Sequence, residues 1–363
     1  MMSKTVLLSA GGTGGHLFPA QSLAQQLSER GWTVHLATDP RAERFVAEFP
    51  AAQVHIIPSA TFGGKNPIAL LRTLYRLLKG YIQAWRVLSK VKPHAVVGFG
   101  GYPTVPPLLA ATHRGHPTIL HEQNAVMGRA NKFLARRVSA IATGFALEKD
   151  IHPSSAPVTV TGNPLREVAH TAANNAYQVH KKDGPFNLLV FGGSQGARFF
   201  SQVMPEALKH LSDDQRKRLK LVLQSRPEDA ELARASLDKL GVSAEVSDFF
   251  MDMPHRISQS HLVICRSGAS SVSELALIGV PSILVPLPGA LDDDQGANAS
   301  FLATADAAHL VRQHELTPER LGNMLSEAME QPERLAIQAE NAKKAGVSDA
   351  AVRLADLVDQ HAH

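Results

Sequence analysis

Residues 5–16 read TVLLSAGGTGGH, and residues 187–196 read NLLVFGGSQG. Each is an apolar run of strand length that stops in glycines and leads into a helical pattern. After the first, the helix continues to about Arg30, where Gly31 ends it. Short apolar strands alternating with helices mean a parallel sheet covered on both faces. In such a sheet, ligands bind outside the carboxyl ends of the strands. Glycines there let the backbone approach a ligand, and the next helix points its free N–H groups at an anion.

The same grammar extends outward from both stretches. Thr33–Thr38, Ala95–Phe99, Thr118–Leu120 and Ala140–Thr143 read as strands that join Thr5–Ala10. The pattern restarts after Gly162-Asn163-Pro164. Asn187–Phe191, Leu219–Leu223, Ala244–Val246, Leu262–Cys265 and Ser282–Val285 form a second set. The chain has 363 residues, about twice the usual domain size. The expected class is α/β, with two Rossmann-like doubly wound domains at 1–163 and 164–345. The chain's end, about 346–363, is expected to pack back on the first domain.

Composition narrows the function. The hydrophobic fraction of 44% is enough for two buried cores. The lone cysteine, Cys265, excludes an internal disulfide and fits a reducing compartment. The N-terminus lacks the pattern of a signal peptide, and no stretch reaches the ~18–20 apolar residues of a membrane span. A cytoplasmic chain, at most peripheral to a membrane, is expected. The net charge of +4 suits nucleic acid, an anionic membrane or an anionic substrate. Nucleic acid is disfavoured, because no basic stripe interleaves with stacking aromatics.

Three glycine loops follow strands: Gly11–His16, Gly98–Tyr102 and Gly192–Gly196. For any one of them, tight strand–helix packing is an equally good reading. Three on two similar domains favour a diphosphate. The first is GGTGGH rather than G-x-G-x-x-G, although Asp39 lies where a ribose-binding acid would. None is followed by Gly-Lys-Ser/Thr, so NAD and ATP both lose ground. Cys265–Glu274 is a fourth strand-to-helix turn. Glu274 there suits the paired hydroxyls of a ribose, or merely offsets the helix dipole. Asp292–Asp294 invite a divalent metal, but acids at a helix start account for them without one. Gln295 and Asn298 are neutral amides suited to sugar hydroxyls. His16 has the ordinary pKa of a general base near neutrality, and Glu122 offers a second.

From Asn66 to Lys92 a helical pattern is strongly two-sided. Leu71, Leu74, Tyr75, Leu78, Tyr81, Ile82, Trp85 and Leu88 recur at i, i+3, i+4, i+7. Arg72, Arg76, Lys79, Arg86 and Lys90 fall on the other side. A core-facing stripe explains the apolar residues. The basic polar face and the aromatics point further, to a helix that lies on an anionic membrane surface.

Taken in order, GGTGGHLFPA, GFGGYPTVPP, HEQNAVMGRANKFLA, TGNPLR, GGSQGA, CRSGASSVSELA and DDDQGANA closely resemble one family. It is the UDP-GlcNAc:undecaprenyl-pyrophosphoryl-muramyl-pentapeptide N-acetylglucosaminyltransferases of peptidoglycan synthesis. The likeness runs from about Ser9 to Ala299. It implies the GT-B fold, with two domains facing a cleft, and peripheral attachment to the cytoplasmic face of the inner membrane. It implies that UDP-GlcNAc meets Thr13, Gly14, Gly15, Asn124, Arg166, Ser194, Gln195, Gly196, Phe250, Ala269, Ser270, Ser271, Val272, Ser273, Glu274 and Gln295. Gly14, Gly15, Gly100, Gly101 and Tyr102 would hold the diphosphate of the lipid-linked muramyl-pentapeptide acceptor. Phe250 stands where the family usually has an aliphatic residue, which suggests a backbone contact to uracil. Ser271 replaces a usual threonine and keeps its hydroxyl, and Ser201 and Asp294 also depart from the common pattern.

The implied chemistry is one inverting displacement, with His16 the first choice of base and Glu122 the second. Helix-end stabilisation of UDP would need no cofactor, with room left for stimulation by a divalent cation. Other cell-wall synthesis proteins are further candidate partners. Two rivals remain: a UDP-GlcNAc 2-epimerase on the same fold, and a UDP-sugar-binding membrane scaffold without catalysis.

Overall fold

A computed structural model describes residues 4–42, 47, 49–60, 67–147, 156–289 and 291–362. The chain forms two compact units, one of residues 1–166 with 349–363 and one of residues 167–348.

In the first unit the described residues form a seven-stranded parallel sheet. Along the chain its strands are β1 (Thr5–Ser9), β2 (Thr33–Thr38), β3 (Gln53–Ile56), β4 (Ala95–Gly98), β5 (Thr118–Glu122), β6 (Ala140–Thr143) and β7 (Val158–Val160). Across the sheet the order is β3-β2-β1-β4-β5-β6-β7. Alternate residues of β1 enter different cores. Val6 and Leu8 face the Gly14–Glu29 helix, and Leu7 joins Val96, Leu120 and Ile141 on the opposite face. Both faces are therefore covered, which is why the strand reads as an unbroken apolar run.

The Ala350–His361 helix belongs to this unit. Leu354 and Val358 are fully buried in the core that holds Leu23 and Leu27. Arg30 bonds Asp356 and Asp359 at 2.7 Å, and the Trp32 indole N–H donates to Asp359 at 3.1 Å.

The second unit has six parallel strands among its described residues. They are β8 (Phe186–Phe191), β9 (Leu219–Gln224), β10 (Ser243–Ser247), β11 (Leu262–Cys265), β12 (Ser282–Leu284) and β13 (Ala308–Leu310), ordered β10-β9-β8-β11-β12-β13. Three strands were absent from the sequence reading: β3, β7 and β13. All three are short and lie at sheet edges. β3 and β7 bury little of their side chains, so neither makes the apolar run that marks an inner strand.

The two-sided helix spans Pro67–Val91, and Asn66 lies outside the described residues. It does not bury its apolar stripe. Among its described residues, Gly80, Ala84 and Leu88 are buried against the body of the unit, and Tyr81 and Val87 pack against it in part. A Cβ at Gly80 would strike the Pro58 carbonyl oxygen, so glycine is what lets the helix lie this close. Leu71, Leu74, Tyr75 and Leu78 are each more than half exposed, and Ile82 and Trp85 are also exposed. The core-facing reading of the stripe thus holds for Leu88 and, in part, for Tyr81. Among the described residues, no helix is long and apolar enough to cross a membrane.

Candidate active site

At the carboxyl end of β1 the glycine loop carries His16 on the first turn of the next helix. Thr13 Oγ1 lies 3.0 Å from His16 Nδ1. Glycines pack the ring closely: a Cβ at Gly101 would come within 3.4 Å of it. The ring keeps some accessible surface while protein encloses the rest. Burial first, and then the nearby Arg41 guanidinium, lowers its pKa to about 4, against a smaller opposing pull from Asp39. His16 is therefore neutral at pH 7 and able to accept a proton.

Asp39 does not serve as a free ribose acid. Its carboxylate accepts from Gly12 N at 3.2 Å and from Arg41 N, Nε and Nη2 at 2.8–3.0 Å. Burial alone would raise this carboxyl, but the Arg41 hydrogen bonds override it and hold the group below its ordinary range. Several glycines in the loops serve packing. A Cβ would meet Arg41 at Gly12, Phe18 at Gly14 and Asn131 at Gly100, whereas Gly15 faces open space. Gly100 and Gly101 also hold positive φ angles of 83° and 74°, which favour glycine. Arg166 stacks its guanidinium 4.0 Å over the Phe18 ring, beside the same loop.

Glu122, at the end of β5, is 2% exposed. Its Oε1 accepts from the Asn124 backbone N–H at 3.0 Å and side-chain amide at 3.2 Å. Its Oε2 accepts from Gly128 N at 2.9 Å and from Asn131 Nδ2 at 2.7 Å. Burial pushes the carboxyl above its ordinary range, against four donors that favour the anion. Both oxygens are thus engaged in shaping the loop that presents Asn124. The neighbouring His121 is fully buried, with its pKa lowered to about 4 by burial. It bonds the Gly162 carbonyl at 3.2 Å, and Asn163 Nδ2 donates to the Gln123 carbonyl at 2.9 Å. The HEQN and TGN segments therefore hold each other.

In the second unit, the Gly193–Leu208 helix starts directly after β8, with Gly192 as its cap. The side chains of Ser194 and Gln195 lie outside the described residues. Gln224 ties this turn to the next one: its Oε1 accepts from Gly192 N at 3.2 Å, and its Nε2 donates to the Asp248 carbonyl at 3.1 Å. The Ala269–Ile278 helix begins after Gly268, where a side chain would enter open space. A helix start with no side chain over it keeps its N–H groups open to an anion. Glu274 lies in the second turn of that helix and is partly accessible.

Gln295 Oε1 accepts from Leu287 N at 3.0 Å, so its amide NH₂ is the end that can donate to a ligand. Asn298, in contrast, is fully buried and donates to the Ser267 carbonyl at 3.1 Å, which removes it from sugar contact. Among the three aspartates, burial first, and then the Asp293 and Asp292 carboxylates, push the Asp294 carboxyl above its ordinary range. Asp293 is bonded to Arg312 at 2.5 and 2.6 Å, and the described residues contain no group of three or more acidic, histidine or cysteine side chains that could hold a metal. The Phe250 ring is 7% exposed, with the Arg256 guanidinium 4.3 Å over it, while Phe249 beside it is 67% exposed.

The glycosyltransferase family 28 N-terminal domain matches residues 6–143, and the family's C-terminal domain matches residues 187–354. A Sinorhizobium fredii protein named UDP-N-acetylglucosamine–N-acetylmuramyl-(pentapeptide) pyrophosphoryl-undecaprenol N-acetylglucosamine transferase is 56% identical over 354 residues. That alignment covers 98% of this chain and 94% of the relative. The chain belongs to glycosyltransferase family 28. A Brucella abortus member with the same name is 54% identical, over 98% of this chain and 93% of its own. The crystal structure of Acinetobacter baumannii MurG matches with a TM-score of 0.79 at 31% identity, over 98% of this chain and 99% of that one. A Listeria monocytogenes structure described as a putative UDP-N-acetylglucosamine 2-epimerase has a TM-score of 0.70 at 14% identity, a likeness of fold alone.

In this family 28 chain, the motif residues gather at the carboxyl ends of strands. Thr13, Gly15, His16, Arg166 and Tyr102 lie around the first-unit loops. Gly192, Phe250, Ala269–Glu274 and Gln295 lie along the corresponding edge of the second. The sequence reading missed the residues that hold these in place. Arg266 is the clearest. It is 7% exposed, donates to the Val285 and Pro286 carbonyls at 3.1 Å and to Gln313 Oε1 at 2.5 Å, and lies over Phe199 and Phe200. Burial lowers its pKa to about 10. Only its place between Cys265 and Ser267, where a strand turns into a helix, hinted at it.

Proposed function

We propose that this chain transfers GlcNAc from UDP-GlcNAc to O4 of the muramyl sugar of undecaprenyl-pyrophosphoryl-MurNAc-pentapeptide. The observation that carries this reading is identity above half with relatives of that name along nearly the whole chain. The muramyl hydroxyl attacks the anomeric carbon of GlcNAc as the bond to UDP breaks. The α-linked donor becomes a β-linked product, and the hydroxyl proton passes to His16 Nε2. For Nε2 to be free, Nδ1 must carry the hydrogen and donate to Thr13 Oγ1. Glu122 acts as a positioning residue that shapes the Asn124 loop.

The donor's leaving diphosphate is stabilised by the N-terminal N–H groups of the helices at Gly193 and Ala269, so no metal is required. Glu274 accepts from the ribose hydroxyls and Gln295 donates to the sugar. Phe250 meets the uracil through its backbone, and the exposed Phe249 ring offers a stacking surface. The Pro67–Val91 helix docks on the cytoplasmic face of the inner membrane. Its exposed leucines enter the interface.

The test is UDP release from UDP-GlcNAc with and without a short-chain lipid-linked acceptor. Release that depends on the acceptor, with a β-linked disaccharide product, supports the proposal. Conversion of UDP-GlcNAc by the protein alone contradicts it.

A further inference from the structure

A cavity of about 960 Å³ opens at the carboxyl ends of β2 and β3. Arg41 and Pro58-Ser59 line it from the two strand ends, and Arg72, Arg76 and Lys79 line it from the Pro67–Val91 helix. Asp39 is its one acidic lining residue, and every described contact of that carboxylate goes to Arg41 or Gly12. Arg72, Arg76 and Lys79 form no ion pair with a described residue. Cations at i, i+4 and i+7 repel one another on a helix. The helix contains no acid to offset them, so an anion in the cavity is what would balance their charge.

Position makes the charge specific. The sheet order places β3, β2 and β1 side by side. Strand spacing then sets the cavity roughly 10 Å from the glycine loop that carries His16. Arg41 joins the two, because its partner Asp39 also accepts from Gly12 of that loop. On the other side, the same helix turns the exposed Leu71, Leu74 and Leu78 outward. An apolar face, a cationic cavity and a base-bearing loop thus follow one another along one edge. Chain, diphosphate and sugar follow one another in the same order in a polyprenyl-diphosphate-linked sugar.

We propose that this cavity is the seat of the acceptor's diphosphate, held by Arg41, Arg72, Arg76 and Lys79. The inference rests on the acceptor named under the proposed function. It moves the diphosphate away from Gly100 and Gly101, whose missing side chains make room for Asn131 and His16. A bound diphosphate beside Arg41 also offsets the cation that disfavours a charged His16 ring, so acceptor binding prepares the base.

The experiment uses the full chain in neutral detergent with saturating UDP, so that the donor site is filled. Farnesyl diphosphate and farnesol are titrated by calorimetry into the wild type and into the Arg72→Gln/Arg76→Gln variant. Thermal unfolding confirms that the variant folds. The expected result is farnesyl diphosphate binding that weakens roughly tenfold for each guanidinium removed, with no change for farnesol. The KM for the lipid-linked acceptor should rise with it, while the KM for UDP-GlcNAc stays constant. Equal farnesyl diphosphate affinity in the two proteins overturns the proposal. So does a variant that loses only its binding to phosphatidylglycerol vesicles, since the cavity would then serve phospholipid headgroups. Diphosphate binding lost in the variant, but with no transfer by the wild type, supports the cavity and refutes the wider reading instead.

Discussion

The Thr13 hydroxyl lies 3.0 Å from Nδ1 of His16, so one proton position is shared between the loop and the ring. With the hydrogen on Nδ1 and donated to Thr13 Oγ1, Nε2 is the nitrogen left to accept a proton. His16→Ala should lower kcat by ~10²–10⁴-fold while the KM for UDP-GlcNAc changes little. Thr13→Val should cause a smaller loss in kcat. Steady-state kinetics with both substrates varied will tell, and an unchanged kcat in His16→Ala removes the residue from the role.

The pH dependence follows from the same ring. Its pKa of about 4 means that His16 becomes protonated, and inactive as a base, only in acid. An anionic acceptor bound nearby raises that value. The acid limb of kcat, which reports the complex, should therefore lie at higher pH than the limb of kcat/KM, which reports the free enzyme. Coincident limbs would mean that the acceptor's charge does not reach the ring.

Glu122→Gln exchanges an acceptor oxygen for an NH₂ that faces N–H donors. The substitution should destabilise the first unit by ~1–3 kcal/mol. Trp32 and Trp85 are the chain's two tryptophans, and both lie in that unit, so denaturant unfolding followed by their fluorescence reads it directly. A collapse in turnover at unaltered stability would instead make Glu122 the base.

Much of this was legible in the sequence, for definite reasons. Inner strands such as β1 and β8 are covered on both faces and so write an apolar run, which Gly11 and Gly192 then end. The edge strands β3 and β7 bury too little to write such a run, β13 has only three residues, and all three went unread, whereas the edge strand β10 was read as Ala244–Val246. The site's backbone features were legible because glycine loops are local. Its supports were not: Arg41–Asp39, Gln224 between two turns and Arg266 beneath a third depend on which strands become neighbours. Periodicity revealed an apolar face between residues 67 and 91, but it could not say whether that face meets core or solvent. Gly80 against Pro58 decides that, through a contact 22 positions away in sequence.

His121 links acid to unfolding. Its folded pKa of about 4 lies below its ordinary 6.5, so the unfolded chain binds the extra proton between these values. Stability is full above pH 6.5 and should fall by ~1.4 kcal/mol for each pH unit down to about 4. The first unit of a His121→Gln variant should show a flatter slope when unfolding is measured across that window. An identical slope would place the acid sensitivity elsewhere.

Leu74 and Leu78 are both more than half exposed, so replacing them leaves no cavity. Leu74→Glu with Leu78→Glu should leave the folded protein's stability within ~0.5 kcal/mol. Sedimentation with anionic vesicles should drop at least ~10-fold, since each leucine in the interface is worth ~1.5–3 kcal/mol. Retained vesicle binding would exclude this helix as the membrane contact.

The most direct measurement is transfer of radiolabelled GlcNAc from UDP-GlcNAc to a short-chain lipid-linked muramyl-pentapeptide by the purified protein, with and without EDTA. The account predicts a labelled lipid-disaccharide in both conditions, because helix ends rather than a metal stabilise the departing UDP. Absence of that product, with UDP-GlcNAc still bound, would contradict the assignment of the acceptor and with it the central claim.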